Sequence, residues 1–129
     1  MKAGFKIVIA DDDRVTRSVL RLLLLENKYN VIGEAIDGIR AVEMCVQLKP
    51  DIAFLDIDMP RMSGNEAAAK ILHDNPKIKI IMVSALASLE NVQSALQSGA
   101  SGFVVKPFST QKIIEAITRT SQPNLPPPS

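Results

Sequence analysis

Five short apolar runs, separated by segments of helical periodicity, constrain this chain more than any other feature. The runs fall at residues 5–10, 31–35, 52–55, 78–83 and 102–105. Several are almost unbroken in Ile, Val, Phe and Ala, the composition of strands covered on both faces, as in a parallel sheet. Parallel neighbours need long crossover connections, and the intervening segments have the length and periodicity of helices in right-handed βαβ units. The expected fold is therefore α/β. At 129 residues the chain fits one domain, and its 47% of hydrophobic residues can cover a sheet and supply inward helix stripes.

The helices carry their own start and stop signals. Asp13 is placed to cap the first, whose inward stripe is expected to be Val15, Val19, Leu22 and Leu23. Ile39, Val42 and Val46 mark a second, closed before Pro50. Ser63-Gly64-Asn65-Glu66 has capping-box spacing and opens a third, with Ala67, Ala68, Ile71 and Leu72 facing in. The fourth runs from about Ser88 through Leu89, Val92, Ala95 and Leu96 to Gly99, a residue able to take the left-handed conformation that ends a helix. Ser109 can cap the fifth while Phe108 staples onto Ile113. The domain is thus expected at residues 1–120. Residues 121–129 contain four prolines and no helical stripe, and read as an extended tail or a linker stub.

Charge and composition exclude several functions. A formal net charge of +1 without any basic run offers no electrostatic footprint for nucleic acid. The longest apolar stretch, residues 19–25, is short and interrupted by Arg21, so no membrane insertion is expected. The N-terminus lacks the apolar region and cleavage site of a secretory signal. A lone Cys45, between Val42 and Val46, reads as a small buried hydrophobe. A cytoplasmic protein is expected.

The informative polar residues stand at strand ends. Asp11 and Asp12 follow the first strand, Asp56 ends the third, Ser84 the fourth and Lys106 the fifth. All lie at the carboxyl edge of a parallel sheet, where open α/β folds bind ligands. Each has an ordinary explanation alone: a solvated acidic loop, a turn aspartate, a loop serine, a surface lysine before a proline. Four strand ends carrying these types in this order are much harder to assign to accident. If the strand order is 2-1-3-4-5, Asp56 faces Asp11 and Asp12 across neighbours roughly 4.8 Å apart, and Lys106 is roughly 10 Å away, a gap its side chain can largely close. Three converging carboxylates need a proton or a cation. Oxygen-only ligands favour a hard ion, and a shallow site shared with water and phosphate oxygens favours Mg²⁺. Asp56 could then supply a nucleophilic oxygen, with the metal and Lys106 offsetting charge. Asp58 could face solvent with its carboxylate while its backbone carbonyl serves the site. His73 reads as a surface residue, and Met59 and Met62 as loop packing.

The ordered set Asp11-Asp12, Leu55-Asp56-Ile57-Asp58-Met59-Pro60 with Gly64, Ser84-Ala85 and Lys106-Pro107-Phe108 resembles the receiver domains of bacterial two-component response regulators, chemotaxis regulators among them. The match spans about residues 5–120. The resemblance is also what supplies the flavodoxin-like strand order 2-1-3-4-5, with helices on both faces. It implies that Asp56 is the phosphoacceptor. It implies that Asp11 and Asp12 hold Mg²⁺, Asp12 directly and Asp11 largely through water, with the Asp58 carbonyl as the remaining protein ligand beside Asp56. Ser84 matches the hydroxyl that binds the phosphoryl group, and Lys106 the lysine that pairs with it. Pro107 matches a proline whose preceding peptide is often cis. Phe103 takes the aromatic switch position, where a tyrosine is common, so its switch must work by packing. A phosphorylation-activated switch is implied rather than a conventional enzyme. A sensor histidine kinase or phosphotransfer protein would supply the phosphoryl group, and a downstream protein would read the result.

Other readings share some of these features. The chain could be a receiver excised from a larger regulator or hybrid kinase. Asp56-Ile57-Asp58 also resembles the aspartate pair of haloacid-dehalogenase-type phosphatases, although that family places its pair after an early strand and its other acidic residues later. A flavodoxin-like cofactor binder would want a Ser/Thr/Gly-rich phosphate loop where this chain has Asp11-Asp12-Asp13. No helix-turn-helix pattern follows the fifth helix, so no DNA-binding output is expected.

Overall fold

The computed structural model describes residues 5–120, and the alternation read from the sequence resolves there into ten elements. They are β1 (Lys6–Ala10), α1 (Arg14–Glu26), β2 (Asn30–Ala35), α2 (Gly38–Leu48), β3 (Ile52–Asp56), α3 (Gly64–Asp74), β4 (Lys79–Ser84), α4 (Leu89–Gln97), β5 (Gly102–Val105) and α5 (Thr110–Thr120). The expected tail at 121–129 lies outside the described residues. All strand pairs are parallel, in the order β2-β1-β3-β4-β5. The expected order and α/β class are those observed.

Alternation of side chains along each strand divides the core in two. Val8, Ala10, Ala53, Leu55, Ile80 and Met82 point to the face covered by α2, α3 and α4, where Ala41, Ala68, Ile71 and Ala95 meet them. Ile7, Ile9, Phe54, Ile81 and Val83 point to the opposite face and pack under Leu20 and Leu24 of α1 and Ile113 and Ile117 of α5. Every residue of β3 is buried. This central strand has neighbours on both edges and helices on both faces, so its terminal Asp56 is held in a rigid frame.

The caps form as expected. Asp13 accepts from the Thr16 N–H, Ser63 and Glu66 complete a capping box, Ser88 accepts from Asn91 N–H, and Ser109 from Lys112 N–H. Gly99 has φ +99°, and Phe108 packs in the same cluster as Ile113.

Three inward stripes differ from expectation. In α1, Val15, Val19 and Leu22 are 68%, 44% and 58% exposed, while Leu20 and Leu24 are buried and Leu23 is half-buried. The run from Leu20 to Leu25 offers two overlapping stripes, and the observed one is consistent with polar anchoring: Arg17 bonds the Asp11 carbonyl and Glu34 of β2, and the valines lie outward. In α2 the stripe is Ala41 and Cys45, with Val42 half-buried and Val46 exposed. Small residues let this helix approach the sheet closely at Gly33, where an added Cβ would stand 2.9 Å from Met44 Sδ. In α4 only Ala95 is buried, and Leu89 and Leu96 face solvent.

Candidate functional site

Four of the five polar residues at the strand ends converge. Carboxylate oxygens of Asp11, Asp12 and Asp56 all lie within 4.8 Å of one another. Asp11 and Asp56 are buried, while Asp12 is exposed at the mouth. Lys106 Nζ reaches across from β5 to sit 2.9 Å from Asp11 Oδ2 and 3.3 Å from Asp56 Oδ2. The sheet therefore brings Asp11, Asp12, Asp56 and Lys106 into one pocket, with the lysine as the cation that partly compensates them.

Backbone donors fix the carboxylates. Asp11 Oδ1 accepts from the Asp13 N–H at 2.8 Å, and Asp56 Oδ1 from the Asp58 N–H at 3.2 Å. The Asp11 carbonyl accepts from Arg17 Nη1 at 2.8 Å, and Arg17 and Arg21 both pair with Glu34, at 3.3 and 2.7 Å. This network ties the first acidic loop to β2. Nothing in the motif pattern drew attention to it, although Glu34 is the one acidic residue inside an apolar run and Arg17 lies one turn into α1.

Charge balance in the pocket is incomplete. Burial, reinforced by the Asp11 carboxylate, pushes Asp56 up to about 6 despite the opposing effects of Lys106 and the Asp58 N–H. Burial works to lower Lys106, but its hydrogen bond to Asp11 and the nearby Asp56 charge outweigh that and raise it. Asp13 behaves as a cap and not as a member of the cluster. Its side chain bonds the Thr16 hydroxyl and N–H, and these bonds lower its pKa. A site with three close carboxylates, Asp56 among them, and one lysine has a deficit of positive charge. Its donors are all oxygen, which fits a hard divalent cation.

Ser84 is buried, and its hydroxyl is engaged within its own loop. It donates to the Leu86 carbonyl (3.0 Å) and accepts from the Leu86 N–H (3.1 Å), with Asn91 Nδ2 at 3.4 Å. Asn91 also donates to the Leu86 carbonyl, so α4 is linked to this turn, a connection the sequence did not reveal. Asp58 has an exposed side chain. Phe103 pairs in register with Met82 and is half-buried against the α2–α4 core. The Lys106–Pro107 peptide is cis. His73 is exposed, Met59 is buried, and Met62 packs against the core, all as expected. Cys45 is buried, which pushes its thiol up to about 12.

Comparison with known proteins gives a consistent answer. The family model for the response regulator receiver domain matches residues 7–118. The chemotaxis protein CheY of Thermotoga maritima is 39% identical over 92% of this chain and 99% of its own length. Among solved structures, CheY in the CheX–CheY–BeF₃–Mg²⁺ complex from Borrelia burgdorferi superposes with a TM-score of 0.87 at 31% identity, covering 91% of this chain and 89% of that one. The signal receiver domain of the putative regulator NarL from Mycobacterium tuberculosis gives 0.83 at 34% identity, over 93% and 98% of the two chains.

Proposed function

The chain belongs to the response regulator receiver domain family, and on that premise we propose that it works by accepting a phosphoryl group on Asp56. The observation that carries this reading is the convergence of Asp11, Asp12, Asp56 and Lys106 at the carboxyl edge of the sheet. In the transfer, an Asp56 carboxylate oxygen forms a bond to phosphorus as the phosphorus–nitrogen bond of a phosphohistidine breaks. The departing imidazole keeps the bonding pair, and the product is an acyl phosphate. The aspartate must be ionised to attack, and a pKa near 6 leaves it so at neutral pH.

Asp11, Asp12, Asp56 and the carbonyl of Asp58 would hold Mg²⁺, which supplies Lewis-acid stabilisation of charge on the transferring oxygens. The related CheY structure with BeF₃ and Mg²⁺ supports that choice of ion. Lys106, already between Asp11 and Asp56, turns to the phosphoryl oxygens. The Ser84 hydroxyl leaves Leu86 for the same group, and Phe103 fills the space it vacates. The protein is thus a switch that promotes its own phosphorylation and dephosphorylation. No helix among the described residues is long and apolar enough to cross a membrane. The family membership supports a cytoplasmic location. Its partners are a histidine kinase or phosphotransfer protein and a downstream protein target.

Phosphoramidate, a small donor with a phosphorus–nitrogen bond, tests the reaction. Acid-labile, hydroxylamine-sensitive phosphate should accumulate on the protein with Mg²⁺ and stay absent with EDTA. Steady turnover of free phosphate esters, without that covalent product, would favour the aspartate-phosphatase reading instead.

A further inference from the structure

The loop of residues 57–63, between β3 and α3, carries Asp58 past the acidic pocket. Its ends are held by backbone hydrogen bonds, Ile57 N–H to the Val83 carbonyl (3.0 Å) and Gly64 N–H to the Ile57 carbonyl (2.9 Å). Its middle rests on another part of the molecule, the start of α2. Gly38, the first residue of α2, lies so close that a Cβ there would stand 2.1 Å from the Met62 carbonyl oxygen. Beside this contact Arg61 Nη1 donates to Asp37 Oδ2 at 3.3 Å, while Asp37 Oδ1 caps α2 through the Arg40 N–H at 2.8 Å. Asp37 is buried, so Arg61 brings a cation to a carboxylate removed from water.

The backbone of Arg61 makes this pairing informative. Its φ of +69° lies in the left-handed region, where a β-carbon is crowded and glycine or asparagine sits more easily. Local conformation gives no reason for an arginine there. Its bond to Asp37 does, because that bond joins the metal-side loop to α2.

We infer that Arg61 is a positioning residue, clamping the loop to Asp37 so that the main chain of Asp58 is held ready for the cation bound by the acidic pocket. The inference rests on the reading of Asp11, Asp12 and Asp56 as a divalent-metal site. The sign of the effect separates positioning from charge. By Coulomb attraction alone, removing the Arg61 cation from the neighbourhood of an acidic site should tighten binding of a divalent ion. If Arg61 orders a ligand-bearing loop, its removal should weaken binding, because ordering is then charged to the binding step.

Magnesium titrations of the whole protein, followed by the backbone amide shifts of Asp12 and Asp58, read this directly. Arg61→Gly should raise the Mg²⁺ dissociation constant by a factor of about three to ten, at the low end for an outer-sphere partner because this ion pair is exposed on one side. Arg61→Lys, which keeps the charge, should recover most of the affinity. The unfolding midpoint of Arg61→Gly should stay close to that of wild type, since relief of the left-handed backbone offsets the loss of an ion pair whose arginine is largely exposed. Unchanged or tighter Mg²⁺ binding in Arg61→Gly would overturn the inference, as would a loss of affinity matched by a lowered midpoint. Wild-type protein that bound no Mg²⁺ would remove the metal reading itself, and the clamp with it.

Discussion

Lys106 Nζ lies 2.9 Å from Asp11 Oδ2, closer than to the carboxylate it is expected to serve, that of Asp56 at 3.3 Å. In this arrangement the lysine is the positive charge of an acidic pocket, shared between two buried carboxylates at the ends of adjacent strands. A metal held by these carboxylates would relieve the lysine of that task and free it for phosphoryl oxygens.

Replacing Lys106 with Met keeps most of the apolar stem and removes the charge. Without metal, Lys106→Met should lose about 1–3 kcal/mol of stability, since buried carboxylates lose their partner. It should also raise the pKa of Asp56 further. Urea unfolding with and without Mg²⁺ checks this: the deficit should shrink when Mg²⁺ is added. A deficit of the same size in both conditions would show that Lys106 acts through packing.

The raised pKa of Asp56 makes a pH prediction whose sign is unusual for an aspartate. Its ordinary value is 3.8 and its folded value about 6, so between these the folded state binds more protons than the unfolded one. Stability from this group is therefore present below pH 4 and declines as pH rises to about 6. Above pH 6, metal-free Asp56→Asn should be more stable than wild type by about 1–3 kcal/mol, and near pH 4 the two should converge. Mg²⁺ should reduce or reverse the difference, and the Mg²⁺ affinity of wild type should fall as pH drops through 6. Equal stabilities across this range would contradict the strained-carboxylate picture.

Much of this was legible in the sequence because strand ends are. A run of Ile, Val, Phe and Ala followed by Asp or Lys locates a residue at the sheet edge without any knowledge of packing, and parallel strands place those edges together. Strand order needed the family resemblance, since the periodicity of residues 52–55 does not say which strand lies next to them. Helix faces were harder. Val15, Val19 and Leu22 form as good a stripe as Leu20 and Leu24, and the observed face goes with tertiary contacts that periodicity does not show, the bonds of Arg17 and Arg21 to Glu34 among them. The same holds for the Arg61–Asp37 pair, which joins residues 24 positions apart and has no local signature.

The Ser84 hydroxyl is engaged by its own loop, so its removal should have separable consequences. Ser84→Ala leaves the Leu86 N–H without its side-chain acceptor and should cost about 1 kcal/mol. Phosphorylation should persist, because the nucleophile and Lys106 are untouched. Beryllofluoride, standing in for the phosphoryl group, should shift wild-type amides around Asp56 and also between Ser84 and Thr118. In Ser84→Ala the distant shifts should shrink. Full-sized distant shifts in the variant would require a route to Phe103 and α4 that bypasses this hydroxyl.

The most direct test of the central claim is the intact mass of the protein after incubation with acetyl phosphate and Mg²⁺. Wild type should gain the mass of one phosphoryl group, lost again on acid treatment, and Asp56→Asn should gain none while remaining folded. Equal labelling of Asp56→Asn, or no labelling of wild type, would contradict the assignment of Asp56 as the phosphoacceptor.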